Sequence, residues 1–309
     1  MTDSPVFKKV ALLGLGLIGS SMAHAMRRGG LAGHVAGYTH RPETLERARA
    51  MRFADSLHGD PGPCVADADL VVLCTPVGTF GELAQQITPS LRQGAILSDV
   101  GSVKSAVIRD VGPYVPEGVH FIPAHPIAGT EQSGPEAGFA ELFDGRWCIL
   151  TPPPGTNTEA VETLKHFWQR IGSQVDVMDA RHHDLVLAIT SHLPHLIAYN
   201  IVGTADDLET VTKGEVIKYS AGGFRDFTRI AASDPTMWRD VFLNNREAVL
   251  EMLGRFEEDL NVLKRAIRWS DGEVLFNFFT RTRAIRRGVV DAGQDTAAPN
   301  FGRGKKQDQ

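Results

Sequence analysis

Residues 9–19 read Lys9-Val10-Ala11-Leu12-Leu13-Gly14-Leu15-Gly16-Leu17-Ile18-Gly19, an apolar run that passes directly into three glycines spaced GxGxxG. A strand that turns on such glycines into a helix is the context a dinucleotide fingerprint requires. Gly14 permits the tight turn, Gly16 lets the backbone approach a pyrophosphate, and Gly19 lets helix and strand pack closely. The helix N-terminus then offers unpaired N–H groups to the anion. Leu15, Leu17 and Ile18 lie between these glycines and share the expected cofactor contact. The competing reading is a glycine-rich turn of structural use only. Lys8, Lys9 and the apolar run also imitate the start of a signal peptide, but the interior glycines argue against one.

Outward from this stretch, short apolar runs alternate with helical periods, the pattern of a parallel sheet wrapped by crossover helices. The expected strands are Lys9 to Leu13, His34 to Tyr38, Leu70 to Cys74, Ala95 to Ser98, His120 to Pro123, Trp147 to Leu150 and Gln174 to Val177. Beyond Met178 the period changes to about 3.6. Asp234 reads as an N-cap with Pro235 at the first helical position, and apolar residues from Trp238 through Val249 to Ile267 predict one very long helix. Such a stripe has more apolar face than one chain covers, so dimerisation through this half is expected. The fold class is therefore α/β: an N-terminal Rossmann-type parallel-sheet domain, 1–178, followed by an all-helical C-terminal dimerisation domain, 179–290. Residues 291–309 read as a disordered tail.

Composition narrows the function. The chain has 309 residues, 42% hydrophobic and 22% charged, ordinary globular values. Lys+Arg 32 against Asp+Glu 37 gives a net charge of −5, which lacks the basic footprint of a nucleic-acid binder. Cys64, Cys74 and Cys148 are widely spaced, without a CxxC pattern, and fit a reduced cytoplasmic setting. No run is read as long and apolar enough to span a bilayer.

The second strand ends in Gly37-Tyr38-Thr39-His40-Arg41, where an acid is expected if the ribose carries a free 2′-hydroxyl. Thr39 can donate to a phosphate oxygen and Arg41 can pair with one, so Thr39, His40 and Arg41 lean toward NADP or dual use of NAD(P). Arg41 as a solvated helix-start residue is the alternative. Thr75, Pro76 and Val77 follow a strand on the ligand side and are placed along the cofactor by position alone.

His125 follows the strand His120 to Pro123 within His125-Pro126-Ile127-Ala128-Gly129-Thr130-Glu131, where Pro and Gly hold a loop in a fixed path facing the crevice. Ser98-Asp99-Val100-Gly101-Ser102-Val103-Lys104 runs from a strand end toward a helix with hydroxyls at its start. In Ser191-His192-Leu193-Pro194-His195, the two histidines share a face if the segment is helical. Metal ligation by that pair is disfavoured, because no third ligand or HExxH arrangement accompanies it.

Together GLGLIGSS, SDVGSVK, HPIAGTEQSG, HHDLVLAITSHLPHLIAY and GGFRDFTRIAASDPTMWRD resemble the prephenate/arogenate (cyclohexadienyl) dehydrogenase family of tyrosine biosynthesis, from about Lys8 to Val290. The resemblance implies NAD(P)-dependent oxidation of a ring hydroxyl with loss of the ring carboxyl as CO2. It implies His125 as the proton acceptor and Ser102, otherwise a helix cap, as the hydroxyl's hydrogen-bond partner. It further implies Arg229 on the ring carboxylate with His195 nearby, and His192 in the substrate-binding set. Arg225 is a second cation, unless it only pairs with Asp226. Glu131 and Trp238 complete the matched positions, and Trp238 reads equally as core. Competing readings are a β-hydroxyacid or pyrroline-carboxylate type dehydrogenase, and a dinucleotide sensor without turnover.

Overall fold

The structure, a computed structural model, describes residues 4–212 and 222–291. The expected tail lies outside these residues except for Asp291, which ends the last helix. Strands β1 (Phe7–Leu13), β2 (Ala32–Tyr38), β3 (Ser56–His58), β4 (Leu70–Leu73), β5 (Ile96–Asp99) and β6 (His120–Phe121) form a six-stranded sheet in the order β3-β2-β1-β4-β5-β6. Every pairing in it is parallel. The crossovers carry α1 (Leu17–Gly29), α2 (Pro42–Met51), α3 (Pro61–Val65), α4 (Phe80–Ile87) and α5 (Ser105–Val111). The sheet is covered on both faces, and its central strands show why. Val10 and Leu12 of β1 with Leu70 and Val72 of β4 enter the core beneath α1, while Ala11, Leu13, Val71 and Leu73 enter the core with α4 and α5. The period-two alternation of a strand thus feeds two apolar clusters, so these runs are hydrophobic throughout. The unexpected strand β3 is three residues of mixed polarity at the sheet edge, too short to show a period.

A second, three-stranded sheet joins β7 (Ala124–Pro126), β8 (Trp147–Leu150) and β9 (Gln174–Val177), with α6 (Thr158–Ile171) between the last two. β7 runs antiparallel to β8, placing His125 opposite Ile149. His125 was expected on a loop after a strand reaching Pro123; instead that strand stops at Phe121 and His125 belongs to a strand of its own.

The helical part comprises α7 (Ala180–Leu187), a π-turn (Ala188–His192), α8 (Leu193–Thr212), α9 (Gly222–Thr228), α10 (Pro235–Asn244), α11 (Arg246–Arg268) and α12 (Gly272–Asp291). Asp234 caps α10 by accepting from Met237 N at 2.9 Å, with Pro235 inside the cap as read from the sequence. The single long helix is in fact two, separated at Asn245. The run Ala180–Asp207 is long and apolar enough to cross a membrane by length and composition, contrary to the sequence expectation. It buries His183, Asp184 and His192 among polar partners.

The chain forms two compact units, one of residues 1–200 and 230–249 and the other of 201–229 and 250–309. Trp238 and Val241 of α10 belong to the first of these, within the apolar cluster of β4, α4 and α5. In the second unit α11 and α12 leave Leu250, Leu260, Ile267, Phe276, Phe279 and Ile285 exposed.

One interaction sets β7 in place. Asp99 at the end of β5 and Lys104 ahead of α5 are both fully buried and ion-paired. Asp99 Oδ1 accepts from Ala124 N at 3.1 Å, and Lys104 Nζ donates to Ala124 O at 2.8 Å. The pair therefore bonds both backbone groups of the residue before His125, on the strand edge that β8 does not cover. Burial pushes Asp99 up and Lys104 down, and the attraction within the pair opposes both shifts. Removing one partner of such a pair typically costs about 3–5 kcal/mol. Lys104→Met is expected to lose that much unfolding free energy in urea titration, with part recovered on adding Asp99→Asn; a single-variant loss below about 1 kcal/mol would show that the clamp does not support the strand.

Candidate active site

The C-terminal ends of β1, β4 and β5 point one way, so the loops at Gly14, Thr75 and Val100 share one sheet edge, where open parallel sheets bind ligands. At Gly14, φ is +117°, and a Cβ would meet Cys74 C at 2.6 Å. A Cβ at Gly19 would strike Gly14 O, whereas one at Gly16 would meet nothing within 4 Å. Two glycines thus close the turn and the third leaves space beside its backbone. Gly16 is also the N-cap of the 13-residue α1 and offers no side chain to its first N–H groups. Those donors and that space fit a dinucleotide pyrophosphate. Leu15 and Val77 turn their side chains into the two cores. Leu17 and Ile18 are half-buried, and Pro76 is exposed. Thr79 Oγ1 bonds Thr75 Oγ1 at 2.8 Å.

At the end of β2, Thr39 is buried and its hydroxyl accepts from Arg41 N at 3.3 Å, while His40 and Arg41 are exposed. Asp60, beyond β3, caps α3 by accepting from Gly62 N at 3.0 Å.

His125 is 8% exposed. Its Nδ1 lies 2.9 Å from His183 Nε2, and His183 Nδ1 lies 2.9 Å from Asp184 Oδ1. Asp184 also accepts from Lys104 N at 2.7 Å and Ser105 N at 2.8 Å. His125 Nε2 has no hydrogen-bond partner among the described residues. Burial chiefly, aided by repulsion from His183, Lys104 and His192 in their protonated forms, pulls His125 well below its ordinary value near 6.5. His183 and Asp184 stand in the quoted HHDLVLAI run but were not singled out; the signal was a His-Asp dipeptide beginning the first helix after the sheets. Their positions come from α7, whose N-cap Asp179 accepts from Arg181 N and His182 N.

Ser102 lies half-buried in the turn between β5 and α5, two residues before Lys104. It does not cap α5, and no described residue bonds its hydroxyl. The π-turn carries His192 into the interior, fully buried. Asn245 Nδ2 donates to His192 Nδ1 at 3.1 Å and to Asp184 O at 2.8 Å. Burial pulls His192 down to about 4, so at neutral pH it carries no charge for a carboxylate. His195 is half-buried and stacks on Trp238 with centroids 3.6 Å apart at 24°. Its Nδ1 bonds Ser191 O at 2.9 Å. Trp238 is thus both core and the wall beneath His195. Glu131 is exposed in the segment after β7. Arg225 and Arg229 lie in the other compact unit, both exposed, with Arg225 Nε 3.4 Å from Asp226 Oδ1.

Residues 22–177 match the family described as Prephenate dehydrogenase, nucleotide-binding domain, and residues 179–281 match Prephenate dehydrogenase, dimerization domain. The chain belongs to the prephenate dehydrogenase family. Members of this family similar to it include the cyclohexadienyl dehydrogenase of Zymomonas mobilis, 42% identical over 91% of this chain and 96% of that one. The prephenate dehydrogenase of Bacillus subtilis is 31% identical over 94% and 78%. Among solved structures, Aquifex aeolicus prephenate dehydrogenase in complex with hydroxyphenyl propionate and NAD+ superposes with a TM-score of 0.84 at 35% identity, covering 91% of this chain and 98% of that one. As a prephenate dehydrogenase family member the protein is an oxidoreductase that uses a nicotinamide dinucleotide and a small-molecule substrate.

A base acts in its neutral form, and a lowered pKa means that the proton leaves at lower pH. With His125 as the base, kcat is expected to stay level as the pH falls from 8 to about 6.5 and to decline only on further acidification. An acid limb centred above about 6.5 in the kcat profile would contradict the burial seen here.

Proposed function

We propose that this chain oxidises the ring hydroxyl of prephenate or arogenate with loss of the ring carboxyl as CO2, giving 4-hydroxyphenylpyruvate or tyrosine, in the cytoplasm. The observation that carries the reading is His125: buried at the sheet edge that holds the glycine turn, bonded through Nδ1, with Nε2 unengaged. When bound, the nicotinamide accepts the hydride from the carbinol carbon. His125 Nε2 takes the hydroxyl proton, and Ser102 donates to the same oxygen and orients it. As the carbinol becomes a carbonyl, the bond to the ring carboxyl breaks and its electron pair completes the aromatic ring. A neutral imidazole suits this role near pH 7.

The substrate's two carboxylates need cations. His195, matched through SHLPH, stacked on Trp238 and bonded to Ser191 O through Nδ1, is placed beside one of them. Arg229, matched through GGFRDFTRIA, holds the ring carboxylate, with Arg225 subordinate because it pairs with Asp226. Glu131 acts at the rim of the pocket. Since the ring carboxylate loses its charge as CO2 departs, a tight clamp on it stabilises the ground state at least as much as the transition state. Arg229 therefore positions.

Thr39, with its own proton free while it accepts from Arg41 N, and the exposed Arg41 support NADP+ or dual use. The exposed apolar residues of α11 and α12 support a homodimer in which a second copy covers them.

Steady-state kinetics test the reading. His125→Asn is expected to lose about 10²- to 10⁴-fold in kcat, and a loss under threefold removes His125 from the role. Arg229→Ala is expected to raise KM far more than it lowers kcat; the reverse pattern overturns its positioning role. Across prephenate and arogenate with NAD+ and NADP+, kcat/KM with NADP+ should equal or exceed that with NAD+, and a strong NAD+ preference would sink that lean. No reduced nicotinamide with either substrate would favour a sensor.

A further inference from the structure

We propose that His183, held by the carboxylate of Asp184, is a positioning residue that fixes the tautomer of His125, so that the proton-accepting nitrogen is always Nε2. The inference rests on His125 being the base, as set out above, and adds a reason why that base is correctly protonated before substrate arrives.

The proton order follows from one group. Asp184 accepts from two backbone N–H groups, Lys104 N and Ser105 N, and from the His183 ring. These bonds hold it below the usual carboxylate range despite burial, so it is ionised and has no proton to give. The bond at 2.9 Å to His183 must then be donated by His183 Nδ1–H. His183 is fully buried, and burial keeps it neutral at pH 7, so it carries one ring proton only. Its Nε2 is a lone pair and can only accept. The contact at 2.9 Å with His125 Nδ1 is therefore donated by His125. His125 is neutral too, and its single proton is used there. Nε2 is left bare. The opposite tautomer of His125 would set two lone pairs against each other at this distance in a site closed to water, which leaves two buried acceptors unsatisfied.

The surroundings support the same order. The groups facing His125 are His183 from α7, Lys104 ahead of α5 and His192 from the π-turn, with Asp99 pairing Lys104. None competes for His125 Nδ1. Asn245 bonds the Asp184 main-chain oxygen and His192, fixing the start of the same helical run from the other side. His183 touches no part of a substrate in this arrangement; it works through His125. Chains of this kind, in which a carboxylate orients one imidazole, lose up to about 10⁴-fold in kcat when the carboxylate is made an amide and the tautomer reverses.

Histidine labelled with 15N in the full-length wild-type protein tests the proposal directly, because long-range 1H–15N correlations show which ring nitrogen carries the proton. The His125 signal, assigned by its loss in His125→Asn, is expected as the Nδ1–H tautomer; an Nε2–H tautomer overturns the proposal. His183→Leu is expected to lower kcat by about 10- to 10³-fold with KM within threefold and a mixture of His125 tautomers. His183→Gln, which returns an acceptor oxygen, should recover part of the rate. A folded His183→Leu variant with kcat within threefold of wild type also overturns it. If His183→Leu does not fold, the wild-type spectrum still decides. Loss of activity in His125→Asn alongside an unaffected His183→Leu would reject the relay and keep the base, whereas an active His125→Asn would reject the base itself.

Discussion

The buried pair of Asp99 and Lys104 is the constraint on which the site depends. Ionised groups without water are costly, and a pair persists only where further bonds satisfy what remains of each. Here those bonds go to Gly101 N and to both backbone groups of Ala124. A three-residue strand is thereby held on the edge that no other strand covers, and the residue after Ala124 is His125. The backbone N–H of Lys104 in turn bonds Asp184, so one turn after β5 ties the end of the sheet, His125 and the histidine behind it. The bonds that offset the cost of keeping two charges from water also align three separate segments of the chain.

Two irregularities in the helices serve the same alignment. A π-turn widens the run after α7 by one residue per turn, and such turns recur at functional sites; this one brings His192 inward while His195 stays half-exposed on Trp238. The break at Asn245 frees a side-chain amide that meets Asp184 O and His192. A continuous helix would place residue 245 within an apolar stripe, four positions after Val241 and four before Val249. A polar residue at that position was visible in the sequence, though its partners, 53 and 61 positions away, were not.

Much of the first unit was legible because its signals are local. Apolar runs, a glycine turn and helix caps act within a few residues, and β1, α1, β4 and the Asp234-Pro235 cap follow from them. β3 and β7 were not legible as strands: three residues show no period, and β7 is held by a clamp rather than by its own propensity. Of the site, His125 and Ser102 could be read from motifs that match a family. His183, Asp184, Lys104 and Asn245 could not be assigned roles, since a charged or polar side chain gives no sign in sequence of whether it is buried or with what it pairs.

By itself the chain's order of residues determined a parallel sheet with a dinucleotide turn, a helical second half and a histidine beside the crevice, because strand period, glycine backbone freedom and capping are short-range properties. Only the tertiary structure decided which nitrogen of that histidine has a partner and that burial lowers the pKa of both histidines beside it. Protonation is set by burial and by partners up to 80 residues apart, and those distances exist only once the chain has folded.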